Sequence, residues 1–235
     1  MAQVIANQKL RPDIVQVDFE MVDPPEIHYE AGQFIILQTA EQNGKIVKRS
    51  YSIASPPNPR GFSLCVKVVG VASQFVSELN SGDRVKFSGP WGMGKFTFPE
   101  KTEPEIVMMA TGTGFSPIHS LLQSKLPAHP EKKFLFLWGL KREADIYNIT
   151  ILDELTARHP HFSYRLILSE PGQFWQGKRG LLSLVFSQEI GAAAGKEFFL
   201  AGNGVMITGV ESELKAQGVP PERIHKEVFF MPQST

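Results

Sequence analysis

The pattern of apolar residues changes at a polar segment flanked by prolines, residues 99–104 (PEKTEP), and this change limits the fold more than any other feature. Before it, short apolar or alternating runs are separated by Gly, Pro, Asn and Asp, which is the pattern of strands. The strongest predicted strands cover residues 15–21, 34–39, 47–53, 62–69 and 84–88. Several short strands with irregular turns predict a closed antiparallel β-barrel of the Greek-key type.

After the polar segment, predicted strands alternate with predicted helices. Strands are expected over residues 105–110, 133–138, 164–168, 197–201 and 224–229, and helices over 117–126, 145–159, 181–188 and 205–217. This alternation predicts a Rossmann-like α/β fold, in which right-handed crossovers build a parallel five-stranded sheet. We therefore expect two domains, residues 1–99 and 104–235, joined at the proline-flanked segment.

Composition excludes several classes of protein. The 24 Lys and Arg residues balance the 24 Asp and Glu residues of this 235-residue chain, so charge gives no reason to expect nucleic acid or an anionic membrane as a partner. The N-terminus lacks the apolar core of a signal peptide and no apolar run is long enough to span a bilayer, which predicts a cytoplasmic protein. The single cysteine, Cys65, excludes a cysteine-ligated iron-sulfur cluster within this chain. Electron transfer would therefore need an organic cofactor.

The predicted barrel contains one strand with unusual chemistry, in residues 48–57 (KRSYSIASPP). On a strand, Arg49 and Tyr51 share one face while Ser50 and Ser52 share the other. A guanidinium can grip phosphate, a phenol can lie against an aromatic ring, and a hydroxyl can reach a ring nitrogen. A flavin nucleotide offers all three groups. The same residues also fit an edge strand with a solvated arginine and a half-buried tyrosine, which these residue types alone favour.

Two further stretches of the first half have two interpretations each. Gly70-Val71-Ala72-Ser73 leads into a short predicted helix over residues 74–79, with Ser73 in the capping position. Such a helix N-terminus suits a diphosphate, although a plain helix cap is the simpler interpretation. In the turn Gly89-Pro90-Trp91-Gly92, the indole either covers a ligand or seals the end of the barrel.

Three glycine-bearing turns follow predicted strands of the second half: Thr111-Gly112-Thr113-Gly114, Gly139 and Gly202-Asn203-Gly204. Ligands of parallel sheets bind beyond the carboxyl ends of the strands, so these turns are expected to meet at one edge. The first turn reads G-x-G-x-x-P and lacks the third glycine of the dinucleotide fingerprint. Its position between a strand and a helix nevertheless favours backbone amides that approach a pyrophosphate over a bare turn.

The order of these features resembles the ferredoxin-NADP reductase superfamily of two-domain FAD- and nicotinamide-dependent reductases. The motifs are RSYS, G-x-x-S, GPWG, ATGTGFSP and a C-terminal Glu-x-aromatic strand, and the resemblance covers residues 13–230. It implies that the barrel binds FAD and that the α/β domain binds NAD(P)H as substrate. It also implies that the nicotinamide and the flavin meet in the groove between the two domains.

The resemblance also implies roles for individual residues. Arg49 would contact the flavin diphosphate, Tyr51 would stack on the isoalloxazine, and Ser52 would bond near the reactive N5. Glu227 matches an acidic residue that many members place near the site of hydride transfer, so Ser52 and Glu227 are the candidate catalytic residues. The remaining predicted cofactor-binding residues are Ser50, Val68, Gly70, Val71, Ala72, Ser73, Thr111, Gly112, Thr113, Gly114, Pro117, Gly139, Ser169, Glu170, Gly202, Asn203 and Phe229.

Phe229 and its neighbour Phe230 have two interpretations, because they would either shield the flavin or belong to a final core strand. Glu170 bears on the choice of nicotinamide cofactor, since NADP-specific relatives often carry arginine at this position. A carboxylate there would repel a ribose 2′-phosphate, which favours NADH. Lys178 and Arg179 argue for NADPH if their loop folds inward.

The chain departs from the family pattern at Ala201-Gly202-Asn203-Gly204, where many members have Cys-Gly-Pro-Pro with a thiol beside the nicotinamide. The predicted function is transfer of a hydride from NAD(P)H to FAD, followed by electron transfer to an unidentified protein or small-molecule acceptor, free flavin included. The alternative is a non-catalytic flavoprotein relay subunit that does not oxidise free NAD(P)H. No metal site is predicted, because the histidines of His159-Pro160-His161 lack the spacing of a metal pair.

Overall fold

The computed structural model describes residues 1–40 and 46–230. The chain divides into two compact units. The first comprises Met1–Thr97 together with His119–Ser124, and the second comprises Phe98–Ile118 and Lys125–Thr235. The observed division falls between Thr97 and Phe98 and assigns part of one helix to the first unit, whereas the exact domain limits of 1–99 and 104–235 stay a prediction.

The first unit is a six-stranded sheet with one helix. Every neighbouring pair of strands is antiparallel, in the order β4-β3-β6-β1-β2-β5. Its elements are β1 (Ala2–Arg11), β2 (Ile14–Met21), β3 (Phe34–Ala40), β4 (Ile46–Ser52), β5 (Gly61–Lys67), α1 (Val71–Glu78) and β6 (Arg84–Trp91).

The core of the first unit lies on the inner face of this curled sheet. Strand β2 shows the cause, because Val15, Val17, Phe19 and Met21 alternate with polar residues and are all buried. Phe19 stacks on Phe62 of β5 with ring centroids 5.1 Å apart. Burying each such ring stabilises the fold by roughly 1.5–3 kcal/mol.

Among the described residues, the sheet is barrel-like and its ladder does not close into the predicted barrel. The strands at its two ends, β4 and β5, are joined by one isolated antiparallel bridge between Ile53 and Leu64. This bridge directly follows β4, so it connects the end of the KRSYS strand to the opposite margin of the sheet.

The second unit is a parallel sheet with helices, and its strand order is β10-β9-β8-β7-β11-β12. Its strands are β7 (Glu105–Thr111), β8 (Lys133–Leu140), β9 (Phe162–Leu168), β10 (Lys178–Arg179), β11 (Lys196–Asn203) and β12 (Ile224–Phe230). Its helices are α2 (Phe115–Lys125), α3 (Ile149–Arg158), α4 (Leu182–Ile190) and α5 (Gly204–Ala216), with residues His119–Ser124 of α2 grouped in the first unit.

The strand order of the parallel sheet reverses between β7 and β11, which places a topological switch point there. Chain order runs outward from β7 to β8 and β9 on one side, then returns through β11 and β12 on the other. The central strand β7 is buried over residues 106–110 and apolar throughout that stretch, as expected for a strand covered on both faces. A ligand crevice is expected beyond the carboxyl ends of β7 and β11.

Three details correct the sequence-based expectations. The parallel sheet has six strands instead of five, because the two residues of β10 pair with Ile167 and Leu168. Helix α1 begins at Val71 and not at residue 74, so Gly70 is its N-cap and Ser73 is its third residue. Helix α3 begins at Ile149 instead of residue 145. Within residues 1–40 and 46–230, no helix is both long and apolar enough to cross a bilayer.

Candidate functional site

Strand β4 places Arg49 and Tyr51 on one face, as the alternation predicts. They lie opposite Leu37 and Ile35 of β3, and both of these partners are fully buried. Because directly opposed residues of an antiparallel pair share a face, Tyr51 lies on the side of the core, where it is half-buried. Burial raises the pKa of the Tyr51 phenol, and the nearby Arg49 guanidinium lowers it by less, so Tyr51 is protonated at neutral pH.

The Arg49 side chain is exposed at this strand. Its Nη1 donates to the carbonyl of Lys48 at 2.9 Å, which uses one of the five guanidinium N–H groups. On the other face, Ser50 is exposed opposite Ile36, whereas Ser52 is buried opposite Phe34 at the end of the strand. The strand thus offers a cation in solvent and a buried hydroxyl three residues later.

Helix α1 provides a helix N-terminus in the same unit, and it contacts β4. Its Ser73 Oγ accepts from the N–H groups of Val69 at 2.9 Å and Gly70 at 3.0 Å, which fixes the entry to the helix. No atom lies within 4 Å of the point where a side chain on Gly70 would begin. Open space therefore adjoins the start of the first helical turn, where a diphosphate fits.

The residues around this N-terminus divide into buried and exposed. Val69 and Val71 are 78% and 59% exposed, which is unusual for valine, while Ala72 is buried. Val68 is partly buried and its N–H donates to the carbonyl of Asp13 at 2.8 Å. Exposed valines beside a helix N-terminus suit a ligand with both an apolar ring and a phosphate, so these residues fit FAD.

In the second unit, the turn after β7 is held by two buried rings. The carbonyl of Gly112 accepts from Trp138 Nε1 at 3.0 Å and from the Tyr147 hydroxyl at 3.2 Å. Trp138 in turn stacks on Phe115, the first residue of α2, with centroids 4.6 Å apart. Since the N–H of Thr113 belongs to the same trans peptide unit as the Gly112 carbonyl, it points away from these rings. The two rings thereby preset the orientation of this peptide unit.

The three predicted glycine-bearing segments lie together at the carboxyl edge of the sheet, at the switch point, but only the first is a turn, since Gly139 lies within β8 and Gly202 within β11. A side chain on Gly202 would begin 2.5 Å from Thr111 Oγ1, and one on Gly114 would begin 2.3 Å from the carbonyl oxygen of Ala201. A side chain on Gly139 would lie 3.1 Å from both Thr111 Cγ2 and Leu182 Cβ. A side chain on Gly202 or Gly114 would therefore clash with the chain itself, whether or not a ligand is bound, whereas one on Gly139 would require its neighbours to shift by a few tenths of an ångström.

Asn203 and Pro117 also have local structural roles at this edge. The N–H of Asn203 donates to Thr111 Oγ1 at 3.0 Å, and its side-chain Oδ1 accepts from Val205 N–H at 2.8 Å as the N-cap of α5. Pro117 is buried in the first turn of α2, where a missing N–H costs nothing. The N-termini of α2 and α5 thus flank the switch point, which fits the phosphates of a dinucleotide.

Glu170, just beyond the end of β9, forms ion pairs with two cations that the sequence analysis did not identify. Its carboxylate lies 2.8 Å from Arg142 Nη2 and 3.1 Å from Lys141 Nζ. The Arg142 hydrogen bond and then the Lys141 hydrogen bond lower the pKa of Glu170, so it is ionised. The N–H of Ser169 donates to the carbonyl of Leu140 at 3.0 Å and extends the pairing of β8 with β9.

Lys178 and Arg179 are engaged in their own part of the unit. Lys178 Nζ lies 2.7 Å from Glu189, and Arg179 Nη2 donates to the carbonyls of Gly172, Gln173 and Trp175. Both cations are thus paired within the second unit, and their expected role in favouring NADPH stays a prediction. Lys141 and Arg142, which were not singled out from the sequence, directly follow strand β8, and this position was the signal available in the sequence.

Glu227 lies on β12 in register with Ala201 of β11, next to the position of the missing thiol. The neighbouring Phe229 and Phe230 are 37% and 58% exposed, which excludes the interpretation that they form a buried core strand. Trp91 is also exposed, at 50%. A ligand-covering role for these three rings stays a prediction.

Comparison with known proteins agrees with this geometry. Residues 1–97 match the oxidoreductase FAD-binding domain family, and residues 108–212 match the oxidoreductase NAD-binding domain family. Ferredoxin-NADP reductase B of Sorangium cellulosum is 31% identical over 239 residues, which cover 97% of this chain and 96% of that protein. The chain belongs to the ferredoxin-NADP reductase superfamily. This reductase is thus an oxidoreductase that binds FAD and uses NAD(P)H, as the sequence predicted.

Two further relatives support the fold and the family. The reductase subunit of an aromatic O-demethylase from an Amycolatopsis species is 28% identical, over 97% of this chain and 68% of that protein. The crystal structure of the Amycolatopsis cytochrome P450 reductase GcoB superimposes with a TM-score of 0.88 at 27% identity, covering 99% of this chain and 70% of that chain. The predicted fold class, an antiparallel barrel-like unit followed by a parallel α/β unit, is confirmed.

A more distant structure shares the fold alone. The ferredoxin NADP⁺ reductase of Neisseria gonorrhoeae, solved with bound FAD and NADP, superimposes with a TM-score of 0.79 at 16% identity, over 97% of this chain and 98% of that chain. The assignment of individual side chains of this reductase to either nucleotide stays a prediction. Among the described residues, no group of three His, Cys, Asp or Glu side chains is placed to hold a metal ion.

Proposed function

We propose that this reductase takes a hydride from NADH and passes the electrons through FAD to a separate electron-transfer protein, with free flavin as the second candidate acceptor. The observation that carries the proposal is the preset turn after β7. The Gly112 carbonyl is held by Trp138 and Tyr147, and the N–H of Thr113 faces away from them. Homology to a ferredoxin-NADP reductase supports the choice of a protein acceptor.

In the first unit, three residues of β4 bind different parts of FAD. The exposed Arg49 guanidinium binds the diphosphate together with the N-terminus of α1. The protonated Tyr51 ring lies against the flavin, and the buried Ser52 hydroxyl donates near the flavin N5. Bound FAD supplies the two-electron acceptor, while the protein supplies position and exclusion of water.

In the second unit, the carboxyl edge of the parallel sheet holds the nicotinamide dinucleotide. The Thr111–Gly114 turn and the N-termini of α2 and α5 bind the pyrophosphate through backbone N–H groups. Glu227, beside Ala201, lies close to the nicotinamide ring and orients it. Because Ala201 replaces the thiol of many relatives, we expect shape and backbone contacts to position this ring.

The preference for NADH is supported by the charge of Glu170. The ionised carboxylate can accept from a ribose 2′-hydroxyl, and it repels a 2′-phosphate. It also occupies Arg142 and Lys141, the two cations that would otherwise attract that phosphate. Selection between the two cofactors thus follows from one carboxylate that both repels NADPH and neutralises its binding groups.

Steady-state kinetics with a choice of acceptors tests this function. Purified FAD-loaded protein should oxidise NADH faster than NADPH at equal, sub-saturating concentrations, and should reduce ferredoxins faster than free riboflavin. A higher kcat/KM for NADPH would contradict the NADH assignment. Faster reduction of riboflavin would make the protein a flavin reductase. A cytoplasmic location, also part of the proposal, is checked by fractionating cells that express the chain.

A further inference from the structure

Three consecutive carbonyls directly after strand β4 each accept a hydrogen bond from a side chain. Ala54 accepts from His119 at 3.0 Å, Ser55 accepts from Ser120 Oγ at 2.6 Å, and Pro56 accepts from the Tyr29 hydroxyl at 2.6 Å. We call the three side chains the carbonyl clamp. All of its members and targets belong to the first unit. Such a run of side-chain donors on one backbone segment fixes its path.

The chemical state of His119 follows from its partners. A carbonyl oxygen can only accept, so Nδ1 carries the proton in the bond to Ala54. The other nitrogen, Nε2, lies 2.9 Å from the amide nitrogen of Gln123 and therefore accepts from it. Burial lowers the pKa of His119 to about 4, so the ring is neutral at neutral pH and both nitrogens are used.

The same segment is also held through its N–H groups. Ile53 donates to the carbonyl of Gln33 at 3.0 Å, and Ala54 donates to the carbonyl of Ser63 at 2.8 Å. The Ser55 hydroxyl lies 2.9 Å from the Tyr29 hydroxyl and accepts from the N–H of Ser63 at 2.9 Å. The chain leaving Ser52 is therefore restrained on both sides beyond the last ladder pair of β4.

We infer that the carbonyl clamp positions Ser52 and Tyr51 for hydride transfer, with His119 as its central positioning residue. This inference rests on the proposed function, since it assumes that Ser52 and Tyr51 contact the flavin. Ala54 is only two residues from Ser52, so a displacement of its carbonyl moves the hydroxyl. A small displacement of a reacting group strongly lowers the reaction rate. Burying a polar histidine side chain costs free energy, so filling space alone does not explain its presence here.

The test compares two substitutions at one position with a control in the same helix. His119→Leu fills the space but removes the donor, whereas His119→Asn retains a donor near the position of Nδ1. Ser124→Ala is the matched control, because Ser124 Oγ donates to the carbonyl of Ser120 within α2 and Ser124 is not a member of the clamp. Each protein is loaded with FAD and mixed anaerobically with saturating NADH.

We expect His119→Leu to reduce its flavin about tenfold more slowly, with the KM for NADH unchanged. His119→Asn should recover most of the rate, and Ser124→Ala should match the wild type. Amide hydrogen exchange, which does not depend on activity, should be faster at Ala54 in His119→Leu because its restraint is lost. Wild-type flavin reduction and wild-type exchange in folded His119→Leu would overturn the inference.

Two outcomes outside this pattern are also decisive. If His119→Leu does not fold, the double variant Ser120→Ala with Tyr29→Phe removes the other two donors, and a wild-type rate there would overturn the inference. If wild-type protein with bound FAD is not reduced by NADH, the proposed function fails. In that case the carbonyl clamp is tested by the rate of amide hydrogen exchange at Ala54 and by the affinity for FAD. Unchanged values of both in His119→Leu would refute the clamp.

Discussion

Single residues show where sequence reasoning succeeds and where it stops. Alternation along a strand correctly places Arg49 with Tyr51 on one face of β4. It could not reveal that His119 bonds to Ala54, because a separation of 65 positions along the chain leaves no periodic signal. The contact of Lys141 and Arg142 with Glu170 likewise depends on β8 and β9 lying side by side, although the position of the two cations directly after β8 was visible in the sequence.

Replacing Glu170 tests the choice of cofactor. Glu170→Gln should raise kcat/KM for NADPH relative to NADH by about tenfold, because it removes a repulsive charge and frees two cations. Steady-state kinetics with both cofactors measures this ratio. Glu154→Gln is the matched control, since Glu154 is also exposed and paired with an arginine, Arg158, but on α3. An unchanged ratio in Glu170→Gln would refute the role of this carboxylate.

Replacing Arg49 tests the flavin strand. Arg49→Ala should weaken FAD binding at least tenfold, because charge-assisted bonds to a phosphate are worth about 1.5–3 kcal/mol. Fluorescence titration of the apoprotein with FAD gives the affinity. The neighbouring exposed Lys48, on the opposite face of β4, supplies the control Lys48→Ala. Wild-type affinity in Arg49→Ala would remove this residue from the site.

The buried His119 predicts a specific pH dependence of stability. Its folded-state pKa of about 4 lies below its ordinary value of 6.5, so the unfolded chain binds a proton first as pH falls. The free energy of unfolding should therefore decrease between pH 6.5 and 4 by up to about 3 kcal/mol from this group alone. Urea titrations of wild type and His119→Asn should converge toward pH 4. Parallel pH profiles of the two proteins would contradict the assignment of a neutral, buried ring.

At the scale of elements, strongly patterned strands and helices were predictable and weakly patterned ones were not. Strand β2 alternates cleanly and was found, whereas β1 was missed because most of its residues outside Ala2 and Val4 are polar or only partly buried. Strand β10 has two residues and no pattern at all. Helix α1 starts earlier than predicted. Ser73 lies inside the helix, where its Oγ accepts from the N–H groups of Val69 and Gly70 that precede the helix.

The packing of β7 against β11 predicts unequal tolerance of two glycines with positive φ. At Gly202, φ is +122° and a new Cβ would meet Thr111 Oγ1 at 2.5 Å, so Gly202→Ala should destabilise the protein by about 3 kcal/mol. At Gly218, which ends α5 with a φ of +82° and with the Val219 N–H bonded to the Leu214 carbonyl, no atom lies within 4 Å, so Gly218→Ala should cost only about 1 kcal/mol. Chemical denaturation of both variants gives the difference. Equal losses would show that conformation, and not the close approach at the switch point, makes Gly202 necessary.

For the whole molecule, the order of the motifs along the chain indicated the family, and the comparisons confirm this family. Four motifs occur in the order of the two nucleotide-binding units, namely RSYS, the turn before α1, GPWG and the turn after β7. Each family model matches the expected half of the chain. The closed barrel was not obtained, because the ladder between β4 and β5 is reduced to the Ile53–Leu64 bridge among the described residues. Closure depends on twist and register summed over six strands, which no local pattern encodes.

Anaerobic mixing of the FAD-loaded protein with one equivalent of NADH shows whether this reductase transfers a hydride from NADH to its own flavin. We expect the visible absorbance of the oxidised flavin to bleach as NADH is consumed in a one-to-one ratio. A protein that holds FAD but stays yellow would contradict the claim and would instead indicate a relay subunit that does not oxidise free NADH.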